Sequence, residues 1–333
     1  MTDTVYDTLC IGGGPAGLMC ALTAVGGTPI NPPRHFSGLV IDRFDIGQFA
    51  KYGKLRLTYR WHLMGPEVIR TLASEAKQAG VELKANTEAV GADLSGDIKV
   101  VETTAGTFRA RTVAICTGFF PHGNLMKHHL RVRPMFSPMG MEERIVPQAE
   151  GLPVLLIGRG APAVAQAREL LRLRSGLELT VVLDGDAEIP RDLDGLAVHH
   201  GFIKVLDEKK DCVDIALLDV QKNEVARRTF RFALVDYNSY TTQTRVTRFL
   251  ESAGVTTRAG YIAVDQWGAT GIPGVVAAGN VVTPVSGVLT ALSTAFSAGL
   301  SLFAMLHKDR FGKAPYLYPW LPAEGLDAHP LAR

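Results

Sequence analysis

The sequence predicts an α/β protein with two Rossmann-like units, and three stretches carry that prediction. In Leu9-Cys10-Ile11-Gly12-Gly13-Gly14-Pro15-Ala16-Gly17-Leu18-Met19-Cys20 an apolar run breaks into glycines and resumes at helical spacing, the order of a strand, a tight turn and a helix. The same order returns at Val154-Leu155-Leu156-Ile157-Gly158-Arg159-Gly160-Ala161-Pro162-Ala163. A third stretch, Gly271-Ile272-Pro273-Gly274-Val275-Val276-Ala277-Ala278-Gly279-Asn280-Val281, reads as a strand that ends in Ala-Gly-Asn.

Gly12, Gly14 and Gly17 form G-x-G-x-x-G. The first glycine permits the turn, the second lets a pyrophosphate approach the backbone, and the third lets the helix pack close to its strand. Phosphate then meets the free N–H groups of the helix N-terminus. A glycine turn alone also suits a purely structural bend, so the next strand adds weight. Phe36-Ser37-Gly38-Leu39-Val40-Ile41 ends at Asp42, a carboxylate where a ribose hydroxyl needs one. The connection is lengthened by Asn31-Pro32-Pro33-Arg34-His35.

From Gly65-Pro66-Glu67 the positions Val68, Ile69, Leu72, Ala73 and Ala76 have helical period and stop at Gly80, before a strand at Val81-Glu82-Leu83. Residues 98–103 and 107–110 read as a hairpin around Ala105-Gly106. A separate buried strand, 112–116, then ends in Thr117-Gly118. The G-x-G-x-x-A at Gly158 and Gly160 opens a helix through Val164, Ala167 and Leu170 to Arg174. The next strand ends at Asp184-Gly185-Asp186, and strands and turns fill the chain to about Tyr240. A small-residue helix spans about Leu289 to Leu306, and the proline-rich tail 314–322 lies extended over another surface or at a dimer contact.

The 333 residues have room for two domains; 47% are hydrophobic and 20% charged, as in an ordinary globular protein. A net charge of +2, with cations scattered among acids, argues against a nucleic-acid partner. The N-terminus has neither a basic start nor an apolar signal core, and no uninterrupted apolar run reaches about 18 residues, so the expected location is the cytoplasm. Four cysteines without a C-x-x-C exclude structural zinc and a secreted disulfide scaffold. Cys10, Cys20 and Cys116 fall on the first strand, its helix and a parallel strand, where they can meet as candidate redox thiols or as buried packing. Cys212 reads as an isolated surface residue, and His128-His129 and His199-His200 as solvated loop histidines.

Taken in order, Gly-Gly-Gly-Pro-Ala-Gly-Leu, Cys-Thr-Gly-Phe-Phe-Pro, Gly-x-Gly-x-x-Ala and Gly-Ile-Pro-Gly-Val-Val-Ala-Ala-Gly-Asn resemble the low-molecular-weight thioredoxin reductase family of two-domain flavoproteins. The resemblance covers nearly the whole chain. It implies an FAD domain of residues 1–118 and 246–333, with a nucleotide-binding-like domain of residues 119–245 inserted in it, and a homodimer. By the same likeness Gly12, Gly14, Pro15, Ala16 and Gly17 contact the FAD pyrophosphate, Asp42 the adenosine ribose and Thr117-Gly118 the adjoining edge. Gly279-Asn280 meets the ribityl chain, with Asn where the family has Asp.

The departures bear on function. The family's redox C-x-x-C is absent from Met135-Phe136-Ser137-Pro138-Met139-Gly140, so reduction of thioredoxin by the usual thiolate exchange is excluded. Where NADPH-dependent members carry a basic cluster, this chain has Asp184, Asp186 and Glu188, which repel a 2′-phosphate but leave Asp184 suited to a free ribose hydroxyl. Tyr237 and Tyr240 add two rings where the family has Gly-x-x-Pro. The resemblance therefore implies an NADPH-independent FAD oxidoreductase. One kind in the family, the diflavin-linked disulfide oxidoreductases of cyanobacteria, carries a second FAD, held here by Gly158, Gly160 and Tyr237. Such an enzyme passes electrons between flavin and a thiol/disulfide, or a small-molecule or small-protein carrier. The alternatives are an NADH-dependent flavin or ferredoxin-type reductase and a non-catalytic flavin-binding protein.

Overall fold

The computed structural model describes residues 4–27, 36–52, 54–56, 62–118, 131–135, 152–236, 239, 248–285, 287–313 and 315. The chain divides into two compact units, Met1–Phe119 with Thr242–Arg333, and Phe120–Thr241.

The first unit is built on β1 (Val5–Ile11), which lies between two parallel neighbours and is buried at its C-terminal half. That burial on both faces explains its unbroken apolar run. It leads into α1 (Pro15–Gly26) and then β2 (Gly38–Ile41). After α2 (Gly65–Gln78) come β3 (Val81–Lys84), β4 (Ala89–Asp93), β5 (Lys99–Thr103) and β6 (Gly106–Ile115). Among the described residues the sheet order is β3-β2-β1-β6-β5-β4.

In β6 the structure departs from the sequence expectation. The hairpin arm and the buried strand are one ten-residue strand, because its partner changes midway. Gly106 to Ala110 pair antiparallel with β5, whereas Val113 to Ile115 pair parallel with a strand from the far end of the chain.

The second unit runs through β7 (Val132–Met135), β8 (Val154–Gly158), α3 (Gly160–Leu173), β9 (Leu179–Asp184), β10 (Ala197–Glu208), β11 (Val213–Leu218), β12 (Glu224–Phe230) and β13 (Phe232–Asp236). Its sheet order is β12-β11-β10-β9-β8-β13-β7, with β10-β9-β8-β13-β7 parallel. Strand order reverses between β8 and β13, the place where open α/β sheets bind ligands. Helix α3 buries Ala163, Val164, Ala167 and Leu170 on Leu156, Val181, Leu183 and Leu234. His199 and His200 are not loop residues as expected: both are half-buried in β10, and His199 Nε2 lies 2.8 Å from the Leu218 carbonyl. His128-His129 and the tail from Tyr316 lie outside the described residues.

The chain returns to the first sheet with β14 (Val275–Ala277), then forms α4 (Val288–Phe311), longer than the sequence suggested. Helix α4 is long and apolar enough to cross a membrane by length and composition, but Ala295, Ala298, Gly299, Leu302 and Phe303 are buried within this unit. Gly299 lets it close on α1: a Cβ there would stand 2.7 Å from Thr23 Cβ and 2.8 Å from the Cys20 carbonyl.

Candidate functional site

At the C-terminal end of β1 the three glycines of the first turn have different surroundings. Gly12 has φ +110, and a Cβ on it would lie 2.3 Å from the Cys116 carbonyl oxygen. A Cβ on Gly17 would lie 1.8 Å from the Gly12 carbonyl, so this glycine is what lets α1 close on the turn. Gly14 differs. Its backbone is extended (φ −73, ψ −174), and no described atom comes within 4 Å of a Cβ built there. Among the described residues no side chain caps α1, and Pro15 at its first position forfeits only an N–H that helix ends leave unpaired. An open space in front of an uncapped helix N-terminus is what an anionic group requires.

Asp42 borders this space from the end of β2. Its Oδ2 accepts the Gly13 N–H at 2.7 Å and its Oδ1 the Phe44 N–H at 2.8 Å. Burial raises its pKa to about 6, against the lowering effect of the Phe44 and Gly13 N–H groups. A carboxylate accepts about four hydrogen bonds, so each oxygen retains room for a hydroxyl. The link to Gly13 was not legible in the sequence, because it depends on β1 and β2 being parallel neighbours in register.

The end of β6 and the turn after β14 abut the same glycine turn, the first at Gly12 and the second at Ala16. Thr117 Oγ1 is buried with no hydrogen-bond partner among the described residues, and Gly118 has φ +63. Gly279 has φ +83; its N–H donates to Thr294 Oγ1 at 2.9 Å, and a Cβ on it would lie 2.8 Å from Ala16 Cβ. The Gly279-Asn280 turn is therefore packed directly on the first turn of α1.

Cys10, Cys20 and Cys116 come together as free, buried thiols behind the glycine turn. Cys20 lies close enough to both of the others for the thiols to shift one another's titration. The neighbouring Cys10 holds Cys20 well above the usual thiol range, and Cys20 together with burial does the same for Cys116. At Cys10 the neighbouring Cys20 favours the thiolate, but burial and Cys116 outweigh it and the net shift is upward. The cluster is adjacent to the turn, as the Cys116 carbonyl against Gly12 shows. Cys212 is half-buried and stands apart.

The second unit carries a different version of the turn. Gly160 has φ +54, and the Arg159 N–H donates to Ser239 Oγ at 3.0 Å, which in turn donates to the Asp236 carbonyl at 3.0 Å. Ser239 thus ties β8 to the end of β13 where strand order reverses. No local sequence pattern announces that contact, since 80 positions separate the two residues. Arg159 Nη2 reaches the Asp186 carbonyl at 3.3 Å, and the buried Asp184 accepts the Asp186 N–H at 3.3 Å. Of the three acids expected to repel a phosphate, only Asp186 and Glu188 are exposed. Tyr237 and Tyr240 lie outside the described residues, as do positions 136–140 of the stretch that replaces the C-x-x-C.

The residues around the first turn fit a dinucleotide such as FAD: the space at Gly14 is open, the helix end is uncapped, Asp42 has spare lone pairs and the Thr117 hydroxyl is unpaired among the described residues. The FAD-dependent oxidoreductase (DAO) family model matches residues 50–154. The thioredoxin reductase of Streptomyces clavuligerus is 33% identical over 125 residues, 35% of this chain and 35% of that one. The F component of alkyl hydroperoxide reductase from Pseudomonas aeruginosa is 26% identical over 323 residues, 90% of this chain and 58% of its own. The chain thus matches only about a third of the length of its first curated relatives. The crystal structure of thioredoxin reductase from Streptococcus pyogenes superimposes with a TM-score of 0.56 at 23% identity, over 92% of this chain and 100% of that one, which establishes the fold.

Proposed function

We propose that the chain is an FAD-dependent oxidoreductase, similar to the thioredoxin reductases, that does not take its electrons from NADPH. The open space at Gly14, between an uncapped helix end and Asp42, is the observation that carries this reading. Backbone N–H groups at the start of α1 hold the pyrophosphate, Asp42 accepts from the adenosine ribose, and Gly279-Asn280 faces the ribityl chain. Bound FAD supplies two-electron transfer. Gly17 fixes the helix end against the strand so that the donors stay aimed.

Electrons exchange with a thiol/disulfide or a small carrier. If thiols of this chain take part, the pair comes from the buried cluster, Cys10 with Cys20 or Cys10 with Cys116. Reducing a Cys20–Cys10 disulfide takes two electrons and two protons and returns two thiols. A pair buried this deeply meets small partners more readily than a protein surface. The second unit holds a nucleotide lacking a 2′-phosphate, either a second FAD or NADH, on Gly158, Gly160 and Tyr237, with Asp184 at the ribose corner. The protein works as a cytoplasmic homodimer.

Anaerobic titration of the flavin tests the donor. Micromolar NADPH should leave the visible band unbleached, and rapid bleaching by it refutes NADPH independence. Bleaching by NADH alone assigns the NADH-dependent reductase instead, and failure of every donor, dithiols included, points to a non-catalytic flavin protein.

A further inference from the structure

Strand β14 ends at Ala277, and the chain must leave the sheet while still buried. Ala278 makes the last sheet bond, its N–H donating to the Ile115 carbonyl at 3.1 Å. Gly279 follows at φ +83, outside the strand conformation. A buried N–H left without an acceptor costs about as much as a lost hydrogen bond. Here a side chain supplies the acceptor: Thr294 Oγ1 on α4, at 2.9 Å.

The same hydroxyl donates to the Thr290 carbonyl, one helical turn back, at 2.8 Å. With its proton committed there, a lone pair is left for Gly279. On its other side Gly279 is pressed on Ala16, with no space for a Cβ between them. The glycine is clamped between the first turn of α1 and the side of α4. Gly279 is also the first residue of a single 3-10 turn, Gly279–Val281, so the clamp holds the start of the turn that carries Asn280.

We propose that Thr294 is a positioning residue for the flavin: its hydroxyl sets the Gly279-Asn280 turn and thereby how Asn280 is presented to the ribityl chain. This rests on the FAD reading above. The role needs a short hydroxyl side chain. Serine can fill it, whereas valine keeps the shape of threonine and loses both hydrogen bonds.

The test compares wild type, Thr294→Val, Thr294→Ser and a control, Ser297→Ala, whose hydroxyl reaches only the Ser293 carbonyl of its own helix at 3.4 Å. Three quantities are measured on each: the FAD dissociation constant, the visible circular dichroism of the bound flavin, and apoprotein melting. Thr294→Val should loosen FAD about tenfold, the effect of one lost charge-free hydrogen bond in a buried turn, and change the flavin dichroism. Thr294→Ser should restore both, and Ser297→Ala should match wild type. Wild-type affinity and dichroism in Thr294→Val overturn the proposal. So does a loss of FAD that merely tracks lowered apoprotein melting, or a failure of serine to restore binding. A wild-type chain that takes up no FAD at all instead overturns the FAD reading itself.

Discussion

Replacing Gly14 by valine isolates cofactor binding from folding. The residue's φ of −73 suits any side chain, and nothing described lies within 4 Å of its Cβ, so the apoprotein should lose no more than about 1 kcal/mol, the usual difference between glycine and an aliphatic residue at a helix N-cap. The added methyls instead fill the space in front of α1. Hydrogen bonds from backbone N–H groups to a charged phosphate are worth about 1.5–3 kcal/mol each. Losing two of them costs about 3–6 kcal/mol, or roughly 100-fold to 10,000-fold in Kd. Gly17→Ala is the contrasting variant, because its Cβ would lie 1.8 Å from a backbone oxygen that cannot move aside cheaply. It should lower apoprotein melting, by about 1–3 kcal/mol if strand and helix separate slightly. FAD affinity is read from quenching of flavin fluorescence on binding, and apoprotein stability from circular dichroism. If Gly14→Val binds FAD like wild type, or unfolds the apoprotein, the assignment of that space is wrong.

Asp42 should make FAD retention pH-dependent. As pH falls through about 6 its carboxylate protonates and loses the acceptor offered to the ribose, so FAD should dissociate more readily at pH 5 than at pH 7.5. Its folded pKa lies above the ordinary 3.8, so its own contribution to stability is present below that value and lost as pH rises through about 6. The acid release therefore does not come from unfolding driven by this group, and Asp42→Asn should bind FAD more weakly with a flatter pH profile. The raised pKa values of Cys10, Cys20 and Cys116 predict that a thiol reagent at pH 7.5 leaves them unmodified in the folded protein and reaches them only on denaturation. Four free thiols counted after denaturation under oxidising conditions would leave these cysteines only a packing role. Replacing the exposed Asp186 and Glu188 by arginine should improve NADPH as a reductant about fivefold per site, the ~1 kcal/mol of a solvent-screened charge near 4 Å; no change would mean that no nucleotide sits there.

How far the sequence revealed this arrangement depended on the range of the contacts. The first turn was legible because G-x-G-x-x-G encodes a local steric requirement, visible in the close approach of Gly17 to the Gly12 carbonyl. The meeting of the three thiols followed from helical spacing on α1 and from parallel neighbours for β1, both local patterns. The single strand β6 was not legible, since its second half is extended by pairing with β14, some 160 positions away. His199 and His200 misled because their polarity suggests solvent, whereas β10 runs through them, paired with Val182 and Leu183 of β9. Ser239 and Thr294 carry no motif, and each acts on a backbone N–H that only the folded chain brings within reach.

The central claim is that the chain holds FAD noncovalently on the Gly12–Gly17 turn. The most direct measurement is release of the chromophore from purified protein by heat or acid, with its identity and amount per chain determined by chromatography. The protein should be yellow and release FAD, one equivalent for the first unit alone or two if the second unit also binds it. A colourless protein that takes up no FAD on refolding with the cofactor would contradict it.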